Sequence, residues 1–274
     1  MEVFNLMYKD YNIGTIAKLL GISSETLRYY ESKNVIKPKR DPDTGYRYYN
    51  AWDLHMLLQA KHYQSYGYTL KEIVKLFQHQ ELSDIADGLK DKEAAIEHEI
   101  LLQMNRLNCI RQNQAMLRDA ADSIGQFRIE KSPGIFRMNT QNDYTLNKSP
   151  EALELIEKWT QLTPFIYSCA RFPYENVKNN DPCFEFGMGL NEEYAAFLGI
   201  SAGEYVQYNP SRMCLHTCIP SRSGHYLSPE CLTPAFEYMK KNGLELTGDI
   251  ITQVVCMTRS DNEYHNWHIV WIPI

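Results

Sequence analysis

Apolar residues follow two different rhythms along this chain. Up to about residue 125 they recur every three or four positions, and beyond it stretches of strict alternation take over. At the start, Ile16, Leu19 and Leu20 keep helical spacing as far as Gly21, whose freedom at positive φ suits the left-handed end of a short helix. Ser23 or Ser24 can cap the next helix, which carries Thr26, Leu27, Arg28, Tyr29, Tyr30 and Glu31. Two short helices joined by a tight glycine-containing turn predict a helix-turn-helix, with the second helix suited to a DNA major groove.

Pro38 ends helical structure, and Asp43-Thr44-Gly45 between the extended pieces 39–42 and 46–49 has the chemistry of a hairpin, hence of a wing. Helices are expected over 52–64 and 69–79, the second opened by the capping-box pair Thr69 and Glu72. From Ser83 to Ser123 there is no proline and only Gly88 near the start. Ala86, Leu89, Ile96, Ile100, Leu107, Ile110, Leu117, Ala121 and Ile124 mark a seam interrupted by Glu93, Gln103 and Gln114. A helix of that length needs something to cover its stripe, and a partner helix in a coiled coil is the direct solution.

The last half reads as strand 128–138, helix 150–162, strands 165–172 and 183–189, then strand 212–219, helix 230–242, strands 249–258 and 264–272. Strand, helix, strand, strand occurs twice, which predicts two similar units around a shared groove. The fold class is therefore α+β. It has a winged helix-turn-helix over 1–80, a dimerisation helix over 81–126 and a duplicated small-molecule domain over 127–274.

Charge sharpens this division. Residues 1–80 carry 11 Lys/Arg against 8 Asp/Glu, 81–126 carry 5 against 9, and 127–274 carry 12 against 17, so only the first segment suits a polyanion. The seven cysteines form no CxxC pair, which argues against a disulfide framework and a zinc ribbon. Cys214, His216 and Cys218 share a strand face, but alternate residues lie about 6.6 Å apart, too far for two to ligate one ion unaided. No metal or other cofactor is expected. With no run of roughly 18 apolar residues and with acidic Glu2 and Asp10 near the start, a cytoplasmic chain without a membrane segment is expected.

The string LRYYE, a basic loop and then DPDTGYRYY resembles the N-terminal domain of the MerR family of bacterial transcription regulators, in particular its multidrug-responsive branch. The resemblance implies an antiparallel helix pair across a homodimer, double-stranded promoter DNA and RNA polymerase as partners, and a regulator that untwists an over-long promoter spacer. The order of elements in the last half resembles the effector domain shared with gyrase-inhibitor-like proteins. That family commonly has an acidic residue four positions before a proline like Pro273, serving cationic ligands; here the position is Ile269.

The residues expected on DNA are Thr15, Ser24, Thr26, Arg28, Tyr29, Tyr30, Lys39, Arg40, Arg47, Tyr48, Lys61, Tyr68 and Lys71. Basic and hydroxyl groups of this kind reach phosphates, and Thr26 is placed nearest the base edges. For a hydrophobic or aromatic ligand the expected residues are Tyr167, Glu185, Tyr205, Tyr208, His216, Tyr226, Trp267 and Trp271. On strand 183–189, alternation assigns Phe184, Phe186 and Met188 to helix packing and leaves Glu185 beside two glycines, with space around its carboxylate. The alternative is a C-terminal domain serving a partner protein or a specific metabolite. A hydrolase is less favoured, since the order of residues pairs Glu185 with no tyrosine.

Overall fold

The computed structural model describes residues 10–78, 81–142, 145–222, 227–260 and 262–274. They form two compact units, Met1–Leu101 and Leu102–Ile274, and the longest helix contributes to both.

The first unit runs β1 (Tyr11–Asn12), α1 (Ile13–Leu20), α2 (Ser24–Ser32), β2 (Lys39–Arg40), β3 (Arg47–Tyr49), α3 (Ala51–Ser65), α4 (Leu70–Gln78) and the start of α5 (Leu82–Ser123). Asn12 caps α1 by accepting the Thr15 N–H at 2.8 Å, and Gly21 closes the helix at φ 60°. Ser23, not Ser24, caps α2, accepting the Thr26 N–H at 3.0 Å. The hairpin sets Lys39 opposite Tyr48 and Arg40 opposite Arg47. Its strands are shorter than expected because Asp41 turns the chain early, its Oδ1 accepting N–H bonds from Asp43 and Thr44 at 3.0 and 2.8 Å. β1 adds a third strand, Tyr11 opposite Tyr49, too short to show as a pattern in sequence.

Asn50 and Asp53 make a reciprocal capping box on α3, and buried Asp53 also accepts the Lys37 N–H at 3.0 Å, fastening the loop that leads into the hairpin. Thr69 and Glu72 make the second box, on α4. Ile16, Leu20, Leu27, Tyr30, Tyr49, Leu57 and Ile73 form the core behind these elements.

The second unit, after the end of α5, runs β4 (Arg128–Lys131), β5 (Ile135–Asn142), β6 (Thr145–Leu146), α6 (Pro150–Thr160), β7 (Ile166–Phe172), α7 (Tyr174–Lys178), β8 (Glu185–Asn191), α8 (Glu192–Leu198), β9 (Val206–Asn209), β10 (Met213–Arg222), α9 (Thr233–Lys241), β11 (Ile250–Ser260) and β12 (Glu263–Pro273). All twelve strands but the first three belong to one sheet, ordered β4-β10-β12-β11-β7-β8-β5-β6, with β9 also on β5. Outward from the β11–β7 junction the order is β11, β12, β10 on one side and β7, β8, β5 on the other, so the two halves mirror each other. The single strand expected over 128–138 is instead two, which join distant parts of the sheet. Ser132-Pro133-Gly134 separates them, because Pro133 has no N–H for a ladder and a Cβ on Gly134 would meet Glu192 at 2.1 Å.

Both faces of the sheet are covered. On one, Ala170, Phe172, Leu215, Val270 and Ile272 pack with Ala235 and Met239 of α9, and Met138 and Leu190 pack with Trp159 of α6. On the other, Cys214, Cys218, Ile251, Ile269 and Trp271 pack with Met116 and Ala120 from the last turns of α5.

Candidate nucleic-acid interface and ligand cavity

The second helix and the hairpin meet at one carboxylate. Glu31, near the end of α2, accepts from Arg47 Nε and from Arg40 Nη2, both at 2.6 Å. Burial alone would raise the Glu31 carboxyl, but the hydrogen bonds and charges of Arg47 and Arg40 outweigh it and hold the group below the usual carboxylate range. Helix and hairpin are thereby fixed to each other, while each guanidinium keeps N–H donors that Glu31 does not use, on an Arg40 side chain that is largely exposed and an Arg47 side chain that is partly so. Arg28, Lys39 and Lys71 are exposed, with Lys39 Nζ 3.9 Å from Asp10. Thr15, Ser24, Tyr29 and Tyr48 are half-buried, and the Thr26 hydroxyl lies 2.9 Å from Ser23 Oγ at the cap of α2.

Three of the residues expected on DNA have structural work instead. Tyr30 is fully buried, its hydroxyl has no hydrogen-bond partner among the described residues, and burial pushes its phenol up to about 12. Tyr68 is buried against Tyr63, with the Lys92 ammonium 4.6 Å from its ring centre. Lys61 donates to the Leu20 carbonyl, satisfying one of the orphan acceptors at the end of α1. Sequence reasoning passed over Glu31, because a glutamate near the end of a short helix carries no signal of partners nine and sixteen residues further on.

In the second unit the residues expected to bind ligand are dispersed. Tyr167, Glu185, His216, Trp267 and Trp271 belong to the sheet face covered by α5 or lie at its margins. Glu185 does not have open space: Oε2 accepts from Arg137 Nη1 at 3.0 Å and from Arg171 Nη1 at 2.9 Å. Nor are the glycines beside it vacant, since a Cβ on Gly189 would fall 2.5 Å from the Tyr167 ring. The Tyr167 hydroxyl donates to Asn191 Oδ1 at 2.8 Å. His216 is buried with Nε2 at 3.6 Å from both Asp119 and Glu130; burial lowers its pKa against the opposing pull of those carboxylates. Tyr205 and Tyr208 are exposed, Tyr208 donating to Glu192 Oε1 at 2.7 Å, and Tyr226 lies outside the described residues.

A cavity of about 520 Å³ opens instead on the face that carries α9. Phe184, Phe186, Leu227, Val254, Met257 and Tyr264 supply its apolar lining, and Gln141, Ser168, Ser221, Asn262, Asn266 and His268 its polar lining, with Arg222 beside them. None of the described residues expected to bind ligand lines it. The reason is that Phe184 and Phe186, assigned to helix packing, are also the cavity wall. Ser221 Oγ and His268 Nε2 are 3.0 Å apart, and burial pushes His268 down to about 4, so it is neutral at pH 7 and a weak base. Among the described residues no group of three His, Cys, Asp or Glu side chains is disposed to hold a metal, and no helix is long and apolar enough to cross a membrane.

Residues 11–80 match the family model for MerR HTH family regulatory proteins. The uncharacterized HTH-type transcriptional regulator PA4778 of Pseudomonas aeruginosa is 40% identical over 65 residues, covering 24% of this chain and 49% of that protein. The HTH-type transcriptional regulator CueR of Yersinia pestis is 32% identical over 105 residues, covering 36% of this chain and 73% of that one. The multidrug-efflux transporter 1 regulator of Bacillus subtilis is 34% identical over 91 residues, 33% of this chain and 32% of that protein. The chain thus spans about half the length of the first of these relatives and nearly three quarters of the second. On these matches, the chain belongs to the MerR family of helix-turn-helix regulatory proteins.

Proposed function

We propose that this chain is a ligand-responsive transcription regulator that binds promoter DNA as a homodimer and alters the geometry of the promoter spacer for RNA polymerase when a small molecule occupies its C-terminal unit. The observation that carries the reading is the convergence of Arg40 and Arg47 on Glu31, which makes helix α2 and the hairpin one rigid basic surface. Arg28, Lys39, Arg40, Arg47 and Lys71 contact phosphates, Tyr29 and Tyr48 donate to them from their hydroxyls, Thr15 and Ser24 add further hydroxyls, and Thr26 lies nearest the bases. Residues 1–80, 81–126 and 127–274 act as DNA-binding, dimerisation and ligand-binding segments.

Dimerisation is supported by the stripe on α5, where Ile96, Ile100, Leu107, Ile110 and Leu117 are exposed at coiled-coil spacing. A two-fold dimer presents two wings to a pseudo-palindromic site. Bending or untwisting that site costs a few kcal/mol, which a ligand can offset only by binding one arrangement of the dimer better than another. The 520 Å³ cavity lies in the size range of drug-like sites and is the place for such a ligand.

The test is sedimentation of the purified full chain followed by mobility shift on the DNA upstream of its own gene, with and without aromatic ligands. A dimer that retards the duplex, with mobility or footprint changed by ligand, is the expected result. A monomer indifferent to every duplex at low salt ends the proposal.

A further inference from the structure

The chemistry of the cavity wall says which ligands suit it, provided the cavity is the ligand site proposed above. We infer that its occupant is a flat aromatic acid, with the ring between the aromatic walls and the carboxylate on Arg222, and that lipophilic cations are held poorly.

Phe184, Phe186 and Tyr264 give the wall an aromatic character suited to a planar molecule, with the Arg259 guanidinium 5.4 Å from the centre of the Tyr264 ring. Among the described lining residues the only side chain ionised at pH 7 is Arg222, and it makes no ion pair with any described acid. Arg222 is the last residue of β10, exposed, directly after buried Ser221, so it stands where the cavity meets solvent. A guanidinium fork there matches a carboxylate in two parallel hydrogen bonds.

Among the described lining residues a cation finds no such partner. Glu185 belongs to the opposite side of β8 from Phe184 and Phe186, and Arg137 and Arg171 already neutralise it. Ile269 of β12 packs on the face covered by α5 and carries no charge. The remaining polar wall is uncharged among the described lining residues, since buried His268 is neutral in its bond to Ser221. A cation entering this space gives up water, meets no described carboxylate and approaches Arg222.

Three probes share one ring system and differ in charge: 2-naphthoate, 2-naphthamide and 2-naphthylmethylammonium. Calorimetric titration of each into the full chain at pH 7.5 should give the naphthoate about tenfold tighter than the amide, the size expected of one charge-assisted contact, and the ammonium weakest. Arg222→Gln should reduce the naphthoate to the level of the amide and leave the amide unchanged. Because Arg222 is exposed, an unaltered melting temperature will show that the variant is folded. An ammonium that binds as tightly as the naphthoate, or a naphthoate affinity indifferent to Arg222→Gln, overturns the inference and leaves the cavity as a ligand site. Failure of all three probes removes the ligand reading of the cavity itself, and the inference falls with it.

Discussion

Each unit of this protein holds one glutamate between two arginines, and the two triads are put to different uses. Glu31 and Glu185 are covered about equally, with side chains 17% and 24% exposed. Their partners are not: Arg40 is 59% exposed and Arg47 26%, whereas Arg137 is 0% and Arg171 19%. In the first unit the carboxylate holds two cations at a surface, where their spare donors can meet a phosphate. In the second it compensates a guanidinium that has no access to water, tying β5, β7 and β8 together. Counting charged residues would rate the two sites alike, whereas burial of the cation separates a binding surface from an internal brace.

The sharpest way to break that comparison is to remove each carboxylate in turn. Glu185→Ala leaves Arg137 buried with only uncharged partners, Asn139 Oδ1 at 2.8 Å and the Cys169 thiol, among the described residues. The expected loss is about 3 to 5 kcal/mol, the usual consequence of stranding a buried charge. Glu31→Ala strands no buried charge, and a loss of about 1 kcal/mol or less is expected. Urea unfolding followed by tryptophan fluorescence distinguishes them, since Trp159, Trp267 and Trp271 report on the second unit and Trp52 on the first. Equal losses for the two variants would abolish the distinction.

Buried His268 gives the second unit a loss of stability in acid that depends on no carboxylate, whereas in the first unit it is the lowered carboxylates Glu31 and Glu72 that lose their contribution as the pH falls. His268 titrates near 4 when folded against an ordinary value of 6.5, so between those values the unfolded chain binds more protons. Stability is complete above about pH 6.5 and falls as the pH drops toward 4, by about 3 kcal/mol at 1.36 kcal/mol per pH unit. Buried His216, also lowered, acts in the same direction. His268→Gln should flatten most of the fall in melting temperature between pH 6.5 and 4; an unchanged profile would assign the acid sensitivity elsewhere.

Sequence patterns were most informative where the controlling interactions are local. Gly21 at the end of α1 and the Thr69–Glu72 box each depend on residues within four positions and are found as read, whereas the hairpin forms with a turn that starts two residues earlier, at Asp41. Which member of an adjacent tyrosine pair faces inward is less plain, but Leu27 and Tyr30 are three apart on α2 and share its buried side, a spacing that excludes Tyr29. In the second unit alternation found the longer strands but not the break within 128–138 nor β6 and β9, and the 520 Å³ cavity lies on the face opposite the one it offered to a ligand. Alternation separates two faces without saying what covers each, and here helices cover both. The long-range fact that α5 returns over the face bearing Trp271 has no local signature.

At the exposed triad the expected effect is smaller and appears in binding. Arg47→Ala should weaken DNA binding to all sequences alike and reduce the salt slope by about 1 for each wing, because a phosphate contact releases counterions without reading bases. Mobility shift across a range of salt concentrations measures it. A slope equal to that of the unmodified protein would confine Arg47 to its bond with Glu31 and make the first triad a brace like the second.

The smallest effect is expected at Tyr30, and its smallness is the point. The Tyr30 hydroxyl lies in the core without a hydrogen-bond partner among the described residues, so Tyr30→Phe removes a polar atom already cut off from water and leaves the ring packing intact. Stability should stay within about 0.5 kcal/mol or rise slightly, because an unsatisfied buried group contributes an unfavourable term in the folded state. DNA affinity and salt slope should not change, whereas Tyr29→Phe, one position along and half-buried at the surface, should lower affinity modestly. A tenfold loss of DNA affinity in Tyr30→Phe would mean that its hydroxyl reaches the duplex, and the inward face of α2 would have to be reassigned.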